Sequence, residues 1–359
     1  MYRRVPTGVG SSRRDLALST RELGDVLEHG AGWAVRRGFG RAGDLERIEE
    51  GGRLPGADAG RVSSRALERG ANQLGTLGSG NHFAEIQYVA RIHDERVASA
   101  FGLFPDQVTV MIHSGSRGLG HQVCEDHLRV MVGAARRYGI DLPDRQLCCA
   151  PIDSPEGIAY LAAMAAAANF AFANRQVMSH WIREAVAGAM GLAPDRTGLA
   201  SIYDVCHNVA KFETFTIGGK PRRVCVHRKG ATRACPAGHP GTPAIYRDVG
   251  QPVLVPGDMG RCSYVLVGTR RAEAETFSST CHGAGRRMSR GEAKRAAAGR
   301  SLLGEMRARG VEVMAAGMAT IAEEMPEAYK DVTEVVEVVH EAGISERVAE
   351  LRPMGVIKG

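Results

Sequence analysis

Leu77-Gly78-Ser79-Gly80-Asn81-His82-Phe83-Ala84-Glu85-Ile86-Gln87-Tyr88-Val89 is where the chain changes character. Before it, residues 11–50 carry apolar side chains at helical spacing (Leu16, Leu18, Leu23, Val26, Leu27, Trp33, Val35) between polar positions and glycine breaks, which predicts short helices. From Gly75 onward the apolar residues become β-branched or aromatic and are bounded by glycine turns. Residues 83–89 and 108–112 therefore predict strands. Residues 156–190 predict one long helix, and 202–206, 223–226, 253–255 and 264–267 predict further short strands. Helices are expected again at about 286–308 and 311–324, and a last strand over 332–339. No internal repeat and no linker rich in Pro, Gly and Ser divides the chain. The expectation is one α+β domain over 1–359, with a central mixed or antiparallel β core flanked by helices.

Composition narrows the class. The 359 residues are 44% hydrophobic and 24% charged, which excludes global disorder and allows a sizeable core. Lys and Arg number 46 against 40 Asp and Glu, a charge of +6 that permits a polyanionic partner without demanding one. The opening Met1-Tyr2-Arg3-Arg4-Val5-Pro6 lacks the apolar centre of a signal peptide, so export is not expected. The run 159–173, interrupted by Asn169 and followed by Asn174-Arg175, reads as a buried Ala-rich helix too short for a bilayer of ~30 Å. Eight Cys without a C-x-x-C pair read as reduced thiols in a cytoplasm.

The chemistry lies in the histidines. His82, His113, His207 and His227 each stand at the edge of a strand-like segment beside a glycine-rich or polar turn, and His282 in Thr280-Cys281-His282-Gly283-Ala284-Gly285-Arg286 reads as opening a helix. Imidazoles placed at rigid strand ends can converge on a divalent metal such as Zn, Mn or Fe; any one of them alone reads better as a surface or hydrogen-bonded histidine. Ser114-Gly115-Ser116-Arg117-Gly118 and Gly283-Ala284-Gly285 suit phosphate, the latter as a helix N-terminus. Arg117, Arg228, Lys229, Arg233, Arg286, Arg287 and Arg290 adjoin these turns and predict a cationic cleft. A histidine beside phosphate-binding amides can attack phosphorus and hold it as a phosphoramidate, and His282 is the candidate; the alternative is that it caps the following helix. Cys225, His227, Cys235 and His239 form a looser zinc-like pattern, but residues 228–233 read better as a phosphate-facing loop.

These motifs together resemble the RtcB family of RNA ligases. The resemblance rests on Leu77 to Glu85, His113 to Gly118, Asp204-Val205-Cys206-His207-Asn208, His227 to Arg233, Pro256-Gly257-Asp258-Met259-Gly260, Cys281 to Arg286 and the terminal Val356-Ile357-Lys358-Gly359. It implies an enzyme that uses GTP and Mn²⁺ to join an RNA 2′,3′-cyclic phosphate or 3′-phosphate end to a 5′-hydroxyl end through a guanylyl-histidine. His282 matches the histidine that accepts GMP, and His82, His113 and His207 match metal ligands. Asn81, Phe83, Glu85, Ser263, Ala284, Gly285, Tyr329 and Lys358 match guanine-nucleotide positions, with Glu85 and Lys358 similar to base-recognising residues and Tyr329 to a stacking one. Arg117, Lys229 and Arg290 are implied contacts to RNA phosphates. The implied partners are tRNA halves or damaged RNA, and archease as an activator.

The chain departs from the family pattern in one respect. The family carries an Asp-x-x-Cys-Gly motif ahead of the segment resembling Arg3 to Ser11, and no such motif occurs in these 359 residues. The resemblance therefore implies an N-terminally truncated family domain whose half-sites, His82 with His113 and His207, are under-coordinated, and weak or absent ligation by the chain as written. A metal-dependent phosphohydrolase acting on cyclic phosphate ends and a non-catalytic RNA-binding remnant are the alternatives.

Overall fold

The computed structural model describes residues 1–8 and 16–359, so the start of the helical stretch expected from residue 11 lies outside the described residues. The strands are β1 (Phe83–Ile92), β2 (Val108–His113), β3 (Asn208–Ile217), β4 (Lys220–Lys229), β5 (Ala231–Arg233), β6 (Pro252–Val255), β7 (Ser263–Gly268), β8 (Ser279–Cys281), β9 (Glu312–Ala315) and β10 (Ser345–Lys358). The helices are α1 (Thr20–Arg36), α2 (Ser64–Gly70), α3 (Glu95–Phe101), α4 (Arg117–Arg137), α5 (Pro155–Met190), α6 (Arg270–Thr276), α7 (Arg290–Ala296), α8 (Leu302–Ala308), α9 (Met318–Glu323) and α10 (Val332–Glu341). The architecture is the expected α+β one: a mixed central sheet, largely antiparallel, with helices packed around it.

The sheet runs β2-β1-β10-β7-β6, with β9 attached to β10. β10 is its spine. One edge of β10 pairs antiparallel with β1, from Phe83 opposite Lys358 to Ile92 opposite Ala349. Its other edge meets β7 as far as Leu351 and then, from Gly355, runs parallel to β9. Pro353 falls in the gap between those two neighbours, where a strand tolerates a missing N–H. Two small ladders, β3 with β4 and β5 with β8, lie outside this sheet.

Several local expectations are corrected. Residues 332–339 form α10, not a strand: Asp331 accepts from the Thr333 N–H as a cap, and Val332 and Val336, four apart, bury one face. Their β-branched composition pointed the wrong way because packing of that face overrides propensity. Residues 311–324 split into β9 and α9, and 286–308 into α7 and α8, with Ser289 and Glu292 forming a capping box at Arg290. Residues 202–206 are extended but make one isolated bridge, Ile48 with Asp204, instead of a strand.

α5 is the core helix. Ser154 caps it with Pro155 in the first turn, and Gly191 closes it in the left-handed conformation. At 36 residues it is longer than the apolar run read from sequence, and by length and composition it is sufficient to cross a membrane. It packs instead against α1 and α4, and its polar residues are satisfied inside the fold. Asn169 donates to the Leu27 carbonyl and accepts from the Leu54 N–H (2.9 and 2.7 Å), while Arg183 forks onto Asp44 at 2.7 Å through both nitrogens.

Candidate active site

Three histidine-bearing loops are tied to consecutive positions of α5. Asn174 accepts from the Thr76 N–H (3.0 Å) and donates to the carbonyls of Thr76 and Gly115 (3.1 Å each). Arg175 donates to Asp204 at 2.7 Å and to the Ser114 carbonyl at 3.1 Å. These bonds hold the approach to His82, the exit from His113 and the approach to His207 at one place, and the pairing of Phe83 with His113 sets the first two side by side. The rings then follow one another, with centroids 5.8 Å apart for His82 and His113, 5.2 Å for His113 and His207, and 4.9 Å for His207 and His282.

His282 is positioned by the small β5–β8 ladder, in which Cys281 faces Ala231. Gly230, at φ +64°, lies against its ring: a Cβ there would come within 3.3 Å of Cε1. Gly230→Ala combines a left-handed φ with that crowding. The expected result is about 1 kcal/mol less stability in urea unfolding and a displaced His282, read as a slower reaction at that imidazole.

Burial keeps all four imidazoles neutral. It lowers the pKa of His82 to about 3, with Arg117 and Lys358 adding to the effect, and that of His207 to about 4, with His282 and Arg175 adding. His113 is pushed well below the ordinary value by burial and by its neighbours His207 and His82. His282 is also lowered by burial, partly opposed by a backbone hydrogen bond at Gly230. Neutral nitrogens keep lone pairs for a metal or a phosphorus atom.

His113 and His207 fit a divalent cation as two neighbouring ligands. Their Nε2 atoms are 3.0 Å apart, the spacing of adjacent nitrogens that each sit ~2.1 Å from one ion. His82 stands next to His113 in the row, and its Nδ1 accepts from Arg117 Nη1 at 2.7 Å. The two ring nitrogens in contact are those of His113 and His207. Among the described residues no set of three or more His, Cys, Asp or Glu side chains is arranged to hold a metal ion.

Beyond His113 and His282 opens a cavity of about 310 Å³, and Asn81, Phe83, Glu85, Ser263, Ala284, Gly285, Tyr329 and Lys358 all line it, together with Arg290. Its polar centre is Glu324, a buried carboxylate that sequence reasoning missed. Glu324 accepts from the Tyr329 hydroxyl and from Arg286 at 3.0 Å, and lies 3.6 Å from the Lys358 ammonium. Nothing in Glu323-Glu324-Met325-Pro326 marked it, because two of its partners, Arg286 and Lys358, lie more than 30 residues away on either side. Lys358 Nζ sits 5.4 Å from the centre of the Phe83 ring. Burial lifts the Glu85 carboxyl to about 7, against the opposing pull of Gln87 and Lys358.

The other cations are placed differently from expectation. Residues 283–289 are not helical, so His282 follows a strand and opens no helix. Arg228 and Arg233 do not face a phosphate: both are buried, Arg228 on Glu213 at 2.7 Å and Arg233 on Glu50 at 2.6 Å. Arg117 is held inside by His82, Thr76 and the Gly8 carbonyl, and burial lowers its pKa to about 10. Lys229, Arg287 and Arg290 remain exposed. His227 points out from β4, 3.6 Å from the Cys225 sulfur.

The model of the family described as tRNA-splicing ligase RtcB matches residues 1–359. A tRNA-splicing ligase RtcB of Archaeoglobus fulgidus is 56% identical over 355 residues, taking in 99% of this chain and 73% of the relative. One of Thermococcus kodakarensis is 54% identical over 359 residues, covering 100% of this chain and 74% of the relative, and one of Pyrococcus furiosus is 55% identical over 360 residues, covering 37% of that longer protein. With the motifs, the histidine row and this full-length match in agreement, the chain belongs to the tRNA-splicing ligase RtcB family.

Proposed function

We propose that the chain joins an RNA 2′,3′-cyclic phosphate or 3′-phosphate end to a 5′-hydroxyl end at the expense of GTP, with His282 as the group that takes up GMP. The observation that carries this reading is the cavity of about 310 Å³ in which eight residues of the nucleotide motifs meet His282. In it, Glu85 accepts from the donor edge of guanine, Tyr329 stacks on the base, and Lys358 faces the base beside Phe83. His282 attacks the α-phosphorus and pyrophosphate leaves; the RNA 3′-phosphate takes GMP from the histidine, and the 5′-hydroxyl then displaces it. Lys229 and Arg290, both exposed, meet RNA phosphates. His113 and His207 would hold Mn²⁺, which when bound would supply positive charge for phosphate oxygens. The eight free cysteines suit a reducing cytoplasm.

The test is incubation of the purified chain with Mn²⁺ and GTP labelled at the α-phosphate. An acid-labile, base-stable label on His282 is expected. Phosphate release from RNA ends without labelled protein identifies a phosphohydrolase instead, and RNA binding with neither identifies a non-catalytic binder. Because the described residues bring only two nitrogens to the metal position, RNA joining by residues 1–359 alone is expected to be weak or absent. Robust Mn²⁺-dependent joining by this chain refutes that expectation.

Glu85 makes the nucleotide step pH-dependent. Its carboxyl, raised to about 7, is protonated below that pH and then cannot accept both guanine donors. GTP affinity is therefore expected to fall by up to about tenfold per pH unit below the pKa and to level off above it. Calorimetric titration across this range checks it, and Glu85→Gln is expected to flatten the profile.

A further inference from the structure

β3 and β4 form a hairpin that stands outside the central sheet and returns beside His282. Its turn is Ile217-Gly218-Gly219-Lys220, with the glycines at φ +59° and +76°, the left-handed pair that closes a two-residue hairpin. At the opposite end the Gly230 N–H donates to the His207 carbonyl at 3.0 Å, and Gly230 lies against the His282 ring.

The two faces of the hairpin differ. The inner one is anchored: Phe215 is buried edge-on against Phe277, with ring centres 5.2 Å apart, and Arg228 forks onto Glu213. Residues directly opposite in an antiparallel pair share a face. The outer face therefore carries Lys229 with Asn208, His227 with Ala210, Cys225 with Phe212, and Arg223 with Thr214. Lys229, His227, Phe212 and Arg223 are exposed, and no Asp or Glu stands on this face. The Arg223 guanidinium lies over the Phe212 ring, 4.3 Å from its centre, and not on a carboxylate. Phe212 is 42% exposed.

Cations and rings thus share one strip. A strand advances ~3.4 Å per residue, so Lys229 to Arg223 spans ~20 Å, enough for several nucleotides at ~3.4 Å per stacked step. Unpaired nucleotides use both kinds of group, since their phosphates seek cations and their bases seek aromatic faces. A duplex hides its base faces and would leave the rings idle. A protein-docking face would need continuous apolar surface, whereas Phe212 is the one large apolar side chain here. Lys229 and His227 also line the cleft that holds His207 and His282, so the strip starts at the site.

We propose that the outer face of the β3–β4 hairpin is a track for single-stranded RNA leading away from His282. Bases stack on Phe212 and His227, and Arg223 extends the phosphate contacts begun by Lys229. That the strand is RNA rests on the reading of the chain as an RNA-joining enzyme.

Two fluorescent unpaired RNAs of about ten nucleotides, one ending in a 3′-phosphate and one beginning with a 5′-hydroxyl, are titrated against the purified chain without GTP or metal. Phe212→Ala is expected to weaken binding of at least one of them about tenfold. Arg223→Ala is expected to lower the slope of log Kd against log salt for that RNA by about 0.7, one phosphate contact, while Arg223→Lys keeps it. Arg307→Ala, which removes an exposed cation of α8, is expected to change neither. Both hairpin positions are exposed, so urea midpoints should match the parent chain. Unchanged affinity and slope for both RNAs in Phe212→Ala and Arg223→Ala overturn the proposal. So does the absence of RNA binding by the parent chain, or a duplex of the same sequence that binds as tightly. Labelling of His282 by GTP is read separately. Label with hairpin-independent RNA binding refutes the track alone, and hairpin-dependent binding without label refutes the joining reaction alone.

Discussion

Replacing His282 by alanine is expected to abolish labelling of the chain by GTP, a loss of at least about a thousandfold, because no other group can take its place as the phosphorus acceptor. His282 is neutral through burial, one side of its ring is engaged at Gly230, and it stands where the cavity of about 310 Å³ meets the histidine row. His207, the ring nearest to it, has its Nε2 engaged with His113 and its Nδ1 buried. The measurement is protein-bound label after acid-free electrophoresis, with GTP binding followed in parallel. Binding is expected to survive, since Glu85, Tyr329, Lys358 and Glu324 are untouched. Retention of label in His282→Ala would place the chemistry elsewhere.

The second large effect is on stability. Glu49 is buried and joins three distant segments: it accepts from Lys211 at 2.6 Å and from the Cys206 N–H at 2.9 Å, and lies 3.4 Å from Arg233. Burial alone would push its carboxyl up, but Lys211 and Arg233 outweigh that and hold it at about 2. Glu49→Ala leaves two buried cations under-compensated and is expected to cost about 3–5 kcal/mol in denaturant unfolding. Its contribution also sets an acid limit. The folded pKa lies below the ordinary carboxyl value, so the stabilisation is complete above about 4.5 and is lost as pH falls toward 2. In Glu49→Gln that part of the acid transition should disappear. Because Cys206 precedes His207, Glu49→Ala is also expected to loosen the His113–His207 pair, read as weaker Mn²⁺ binding.

Much of the scaffold was legible in local pattern. β1 and β2 were marked by β-branched runs between glycine turns, and α5 by the long helical stretch over 156–190. β10 was not, because Pro353 and Gly355 look like breakers until the strand is seen to change partners between β7 and β9. α10 was misread because Val332 to Val339 satisfies strand composition, and only the face it buries selects the helix. The cationic cleft was overstated for a related reason: a charge count does not show that Arg228 and Arg233 turn inward to glutamates.

By itself the sequence determined which residue types stand at the ends of the strands: imidazoles at 82, 113 and 207, glycines that let backbone approach, and a histidine at 282 beside a small-residue turn. Those are local properties of short segments, and short segments carry them. Which histidines meet was decided only by the tertiary structure. Asn174 and Arg175, one helical step apart on α5, reach loops 29 to 98 residues away and bring His113 against His207, while Arg117 holds the Nδ1 of His82. Likewise Glu324 becomes the polar centre of the cavity of about 310 Å³ only when Arg286, Tyr329 and Lys358 fold onto it. Buried polar groups have to find partners wherever the fold supplies them, and that requirement acts between segments that local sequence does not connect.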